Sequence, residues 1–286
     1  MKTFIRWQGN KSKHIKHLIK YIPKDIMSNE FKGTYIEPFV GSGALFLKLQ
    51  PKKWIINDLN KDLINIWKNV KENDFDIIKK FKFFEKQFKP MSRENKIIFC
   101  KKQVLKIDTL DYNVYRASLF LLMKFCSYMG HIFVNNKFMF AGLDLNISIK
   151  NNYSFLKDTY YNLLSDIADY LNESNGKIYN KDYIKILEKA KKDDFVFLDP
   201  PYFEKKELYQ FNYNKDEVID QLFLDNLKIQ LVNLDKRGVR WIMTNADTTE
   251  VHKTFTKFKI KKFKVYRANS NSYKNELIIL SNNIQI

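Results

Sequence analysis

The chain has 286 residues, with 50 Lys and Arg against 32 Asp and Glu, for a formal charge of +18. That length is enough to bury a substantial core in one large domain or in one domain carrying an insertion. The charge points toward a polyanion such as nucleic acid, or else reflects the Lys-, Asn- and Ile-rich bias of a low-GC genome. Two cysteines, Cys100 and Cys126, exclude a disulfide scaffold and a thiolate metal site. Neither a leader nor a membrane-length apolar run is present, so the expectation is an intracellular, non-secreted protein with no membrane partner.

In chain order, residues 34–37 predict a short strand, followed by a Gly-containing turn and a helix from Ala44 to Gln50 that Pro51 ends. A second strand, Trp54-Ile55-Ile56, is capped by Asn57-Asp58, and Leu63, Ile64, Trp67 and Val70 give residues 61–71 helical spacing. From Glu72 to about Gly176 the rhythm breaks. Helical patterns at 75–88, 112–126 and 153–171 carry no alternating strands, which predicts an inserted domain. Within it, residues 131–134 and 137–140 flank Asn135-Asn136, a hairpin signal. Strand and helix alternation resumes with a strand at 177–180, a helix at 182–190 and the strand Phe195-Val196-Phe197-Leu198. A helix at 216–234, a strand at 240–244 and an antiparallel edge pair at 258–266 and 276–281 complete the chain. The pattern predicts an α/β fold, a largely parallel sheet with helices on both faces.

Asp199-Pro200-Pro201-Tyr202 is the most informative stretch. Two prolines stop the preceding strand because they cannot donate to the next ladder position, so the carboxylate sits past a strand's carboxyl end, where open α/β sheets bind ligands. Asp199 and the Pro200 carbonyl offer acceptors for both hydrogens of an amino group, and Tyr202 offers a flat face. These suit a planar aromatic amine. The turn Phe39-Val40-Gly41-Ser42-Gly43 lets a ligand approach the backbone, yet it lacks both the third glycine of a dinucleotide fingerprint and the Lys-Ser/Thr of a phosphate loop. Asp58 stands where an acidic residue grips ribose hydroxyls, or simply starts a helix. His14 and His17 lie three apart without a third ligand, so no metal is expected.

Taken together these motifs resemble the S-adenosylmethionine-dependent DNA adenine N6-methyltransferases of the Dam type. Arg6-Trp7-Gln8-Gly9-Asn10-Lys11 is similar to that family's N-terminal element, residues 35–46 to its cofactor loop, and Ile56-Asn57-Asp58-Leu59-Asn60 to its ribose-binding step. The order, cofactor loop first and insertion before Asp-Pro-Pro-Tyr, is that of the alpha group. The resemblance implies a Rossmann-like seven-stranded sheet with an antiparallel edge strand. It divides the chain into a catalytic domain of residues 1–72 and 177–286 and an inserted, mainly helical target-recognition domain of residues 73–176 with a β-hairpin.

Residue by residue, the resemblance implies that Trp7, Gly9, Lys11, Glu37, Pro38, Phe39, Gly41, Ser42, Gly43 and Asp58 hold S-adenosylmethionine, leaving S-adenosylhomocysteine as product. Asp182 and Tyr183 resemble the pair that reads the donor's adenine, against a helix N-cap and a packed aromatic as the plain alternative. Asp199, Pro200, Pro201 and Tyr202 are the implied catalytic set, with double-stranded DNA as partner and a monomer or weak dimer as the working form. Asn245-Ala246-Asp247 resembles a family step that shapes the target pocket. The target adenine would be flipped out of the duplex and methylated by direct in-line displacement. Cytosine N4 or an RNA adenine as target, and a non-catalytic DNA-binding subunit, are the competing readings. The first two are opposed by Asp before Pro-Pro-Tyr, and the last by the intact cofactor loop.

The likeness fades at residues 127–133. Family members that read GATC carry an arginine there, whereas this chain has Ser127-Tyr128-Met129-Gly130-His131-Ile132-Phe133 and no arginine for a bidentate guanine contact, so either His131 substitutes or guanine is not read there. Tyr128 and His131, with Lys124, Asn135, Asn136 and Lys137, are the candidate DNA contacts. Ordinary surface is the alternative for each.

Overall fold

The computed structural model describes every residue except 29, 135–136, 141, 145–146, 148–152, 203–220, 268–271 and 286, and only the backbone of 129, 133, 134, 137 and 267. Its main sheet has seven strands: β1 (Tyr35–Glu37), β2 (Lys53–Asn57), β5 (Asn175–Tyr179), β6 (Phe195–Leu198), β7 (Arg240–Ala246), β8 (Lys259–Arg267) and β9 (Ser272–Leu280). The order is β5-β2-β1-β6-β7-β9-β8. β5, β2, β1, β6 and β7 pair in parallel, and the β8–β9 hairpin closes the edge with β9 running antiparallel to both neighbours. The expected antiparallel edge is therefore this hairpin, with β9 tucked against β7 and β8 outermost.

Alternation along the central strands supplies two cores. Tyr35, Phe195 and Phe197 face one side, and Ile36, Val196 and Leu198 face the other, as the period of two requires. The first side is covered by α2 (Ala44–Leu49) and α3 (Lys61–Phe88), the second by α7 (Tyr183–Leu187), α8 (Gln221–Lys236) and α9 (Thr249–Thr254). Of the helix predicted at 216–234, residues 216–220 lie outside the described residues.

α3 joins two stretches that read as separate helices. It passes residues 72–73 through a kink at Asn73, whose φ is −143°. Its second half packs with α4 (Arg93–Ile107), α5 (Val114–Cys126) and α6 (Asp158–Glu173), and their buried side chains continue the first core without a break. Short strands β3 (Phe133–Val134) and β4 (Lys137–Phe138) pair antiparallel, Val134 opposite Lys137; the Asn135-Asn136 turn expected between them lies outside the described residues. No strand was expected in β5 before residue 177, but it begins at Asn175 because it pairs with Lys53 of β2. The N-terminal segment, which includes the four-residue α1 (Ile15–Leu18), stitches the insert to the sheet. The Met1 ammonium donates to Leu47 O (2.8 Å), the Tyr160 hydroxyl donates to Phe4 O (2.7 Å), and Arg6 pairs with Asp144 (2.7 Å).

Candidate active site

Strand order reverses between β1 and β6, so the connections leaving their carboxyl ends diverge and open a crevice. A cavity of about 420 Å³ fills it. The N-terminal segment lines it with Trp7, Gly9 and Lys11. The end of β1 contributes Glu37, Pro38, Phe39, Gly41 and Ser42, and the end of β2 contributes Asp58. Asp182 and Tyr183 at the start of α7 and Asp199 and Pro201 after β6 complete the expected set. Gly43, Pro200 and Tyr202, also expected, are not among the lining residues.

The turn after β1 needs its glycines. Gly41 has φ +49° and Gly43 φ +65°, and a Cβ at Gly43 would lie 2.7 Å from the Trp67 ring. Trp67 also donates from its indole nitrogen to Gly41 O at 3.1 Å, so α3 props the turn from below. Asp58 closes it from the side. One carboxylate oxygen accepts from Gly41 N (3.1 Å) and the other from Asn60 N (3.0 Å). Asn57, buried beside it, donates to both Pro38 O and Lys181 O at 2.9 Å and accepts from Lys181 N at 2.9 Å. This lashes the Asp182–Tyr183 wall to the turn. The Asp182 carboxylate caps α7 by accepting from Ile184 N at 2.8 Å. Tyr183 lies between the rings of Phe39 (5.2 Å) and Phe223 (5.8 Å), a wall suited to a planar ring.

Besides Asp182, three more carboxylates give the cavity an acidic side. Glu37 is buried, accepts from the Tyr35 hydroxyl at 2.6 Å, and is held well above the usual carboxylate range by burial, with Asp199 and Asp58 adding repulsion. Asp58 is pushed up to about 6, chiefly by burial and against the pull of the Asn60 and Gly41 amides. Because this pKa is raised on folding, stability is undiminished below about pH 4 and is lost as pH rises through 6. The shift from 3.8 to about 6 corresponds to a cost on the order of 3 kcal/mol. Asp58→Asn removes that cost but sets an NH2 group against one of the Gly41 and Asn60 amides, so its melting temperature relative to wild type should be higher at pH 8 than at pH 5, while any ligand that relies on the carboxylate binds more weakly. Thermal scans at the two pH values would show the difference, and an equal shift at both would contradict the burial cost.

Asp199 is clamped from two sides. The Lys11 ammonium lies 2.8 Å from one oxygen, and Thr244 of β7 donates its hydroxyl to the other at 2.5 Å. Lys11 also donates to Gly9 O (3.0 Å) and stands 4.7 Å from the centre of the Tyr202 ring. Thr244 holds the carboxylate rather than touching the cavity, and only the neighbouring Asn245-Ala246-Asp247 step marked it in the sequence.

The candidate DNA contacts divide. Tyr128 is exposed, in a turn that follows α5. His131 is half-buried, its pKa lowered by burial and then by Lys124. Asn135 and Asn136 lie outside the described residues, and Lys137 is described only as a β4 backbone position. Lys124 departs from the expectation of a surface cation. It is 4% exposed, donates to Gly130 O at 3.0 Å and lies 4.6 Å over the Trp7 ring. Burial lowers its pKa to about 7. Its stem is spent on packing, and its head supports the 128–130 turn instead of reaching for phosphate.

A family model for the D12 class of N6 adenine-specific DNA methyltransferases matches residues 7–269. A Type II methyltransferase of Lactococcus lactis subsp. cremoris is 28% identical over 270 residues, covering 94% of this chain and 89% of that protein. A Type II methyltransferase of Methanocaldococcus jannaschii is 30% identical over 279 residues, covering 92% and 90%. A DNA adenine methylase of Haemophilus influenzae is 25% identical over 276 residues, covering 93% and 87%.

Proposed function

The chain belongs to the D12 class of N6 adenine-specific DNA methyltransferases, and from that premise we propose that its cavity binds S-adenosylmethionine and that Asp199-Pro200-Pro201-Tyr202 receives the target adenine. The donor supplies an electrophilic methyl carbon. The fit rests on the cavity itself. Its 420 Å³ suits a nucleoside-sized ligand, its carboxylates complement a sulfonium and an ammonium, and the Phe39–Tyr183–Phe223 wall offers a face to an adenine ring. On this reading Asp58 accepts from the ribose hydroxyls, and Trp7, Lys11 and the 39–43 backbone hold the remainder.

The observation that carries the proposal is the clamped Asp199 carboxylate opening on the cavity beside the Tyr202 ring. The N6 lone pair of adenine is delocalised into its ring and attacks poorly. Asp199, accepting from the amine, draws that pair out of conjugation and stabilises the positive charge that grows on nitrogen, a preorganised electrostatic contribution. An incoming adenine competes with Lys11 for the carboxylate, so the ammonium swings off Asp199 as the amine arrives. A duplex base cannot reach this depth, and the adenine is therefore flipped out and stacked on Tyr202. Residues 73–176 form the target-recognition domain, with Tyr128, His131 and residues 135–137 as its reading surface.

Incubating the protein with tritiated S-adenosylmethionine and mixed duplex DNA should label N6-methyladenine, and label confined to any other base would refute the proposal. Lysine-rich surfaces on the recognition domain predict that DNA affinity falls steeply with salt, log K declining by about 0.9 per phosphate neutralised for each tenfold rise in salt. A flat response in a salt titration would return the excess charge to composition alone.

A further inference from the structure

The second partner of the Tyr202 side chain lies outside the cavity. Glu276 of β9, 3% exposed, accepts from the Tyr202 hydroxyl at 3.0 Å. The same carboxylate oxygen lies 3.5 Å from His14 Nδ1. Glu276 is fixed between two strands, opposite Ala246 of β7 and Phe263 of β8, so its backbone has little freedom. The arrangement parallels the one at Asp199, where Thr244 reaches in from β7 at 2.5 Å. Strands β7 and β9 thus each send one side chain to hold one member of the Asp-Pro-Pro-Tyr segment.

We propose that Glu276 is a positioning residue for methyl transfer, anchoring the tip of the Tyr202 ring through its hydroxyl and enriching its face with electron density. The inference rests on the reading of Tyr202 as the face that receives adenine. A phenol joined to the main chain at one end and to a buried carboxylate at the other cannot swing its tip sideways without breaking a charge-assisted hydrogen bond. Burial, with the Asp199 and Glu276 charges, holds the Tyr202 hydroxyl protonated well above the usual tyrosine range, so it donates at every working pH. An electron-rich face also favours nearby positive charge, as the Lys11 ammonium 4.7 Å above it shows. The adenine nitrogen acquires such a charge as it is methylated.

The test is a double-mutant cycle in single-turnover methylation of the duplex that the wild type labels. Glu276→Leu and Tyr202→Phe should each lower the transfer rate roughly 10- to 100-fold, the range for losing a hydrogen bond to a charged group, with affinity for S-adenosylmethionine little changed. The double variant should be no slower than Tyr202→Phe alone, because that change already removes the Glu276 bond together with the Thr244 contact of the same hydroxyl. Glu276→Gln keeps an acceptor and should recover most of the rate, and Tyr202→Phe retains the ring should the leucine variant fold poorly. Additive losses, or a glutamine variant as slow as the leucine one, would overturn the proposal while leaving the adenine reading intact. Wild-type label on a base other than adenine would overturn both.

Discussion

Asp199→Asn should slow methyl transfer by roughly 10²- to 10³-fold, the loss seen when one preorganised group is removed from a developing charge, while DNA affinity changes little. Asparagine keeps an oxygen for the Thr244 hydroxyl, now 2.5 Å from Asp199, so the loop geometry survives. What it loses is the negative charge facing the reacting amine. Alanine is the poorer choice for this test. It removes the acceptor of Thr244 as well and, like asparagine, leaves Lys11, 6% exposed, without the charge 2.8 Å away; breaking a buried pair from one side costs about 3–5 kcal/mol. The control is Lys11→Met in the Asp199→Asn background, which removes the stranded ammonium. If the slow step reflects charge at Asp199, the double variant regains melting temperature but not rate. Single-turnover rates, fluorescence anisotropy on duplex DNA and calorimetry separate the three quantities. A parallel loss of rate and DNA affinity would place Asp199 in DNA binding rather than in the chemistry.

The elements that carry the chemistry were legible because local backbone rules mark them. β6 ends at Leu198, where Pro200 and Pro201 follow within three residues, and the positive φ at Gly41 and Gly43 is a demand that the sequence itself displays. Helix α4 was not legible. Only Lys96, Cys100, Val104 and Ile107 face inward amid lysines, so its apolar stripe is narrow, although Ser92 accepting from Asn95 N is a recognisable N-cap. α3 read as two helices because polar residues 71–74 interrupt its apolar stripe, yet the chain turns through them at Asn73 and continues. The long-range contacts that brace the site left no local trace. Asn57 reaches Lys181 across 124 positions, Thr244 reaches Asp199 across 45, and Glu276 reaches Tyr202 across 74. Lys124 misled for the opposite reason: charge alone assigns a lysine to the surface, but the Trp7 ring and Gly130 carbonyl give a buried one two partners.

Arg116→Met should destabilise the protein by about 3–5 kcal/mol, a drop of roughly 10 °C in melting temperature for a chain of this size. Arg116, 5% exposed on α5, grips both oxygens of Asp62 on α3 (2.6 and 3.1 Å) and donates to Ile107 O (2.6 Å) and Leu110 O (2.7 Å) at the end of α4. One guanidinium thereby ties three helices, and its planar fork explains why arginine rather than lysine stands there. Methionine fills the stem but leaves a buried carboxylate and two carbonyls unpaired. Asp62→Leu added to Arg116→Met should restore part of the loss, since an unpaired charge is the costliest remnant. The carbonyls, at about 1–3 kcal/mol each, keep the rescue incomplete. The consequence reaches the cavity because Asp62 opens the helix that carries Trp67, the prop beneath Gly41 and Gly43. Arg116→Met should therefore weaken binding of S-adenosylmethionine as well as lower the melting temperature, and the double variant should recover both together. Calorimetric titration beside thermal scans decides it: a melting temperature that falls with donor affinity unchanged would mean that the insert's anchor and the cofactor turn are mechanically independent.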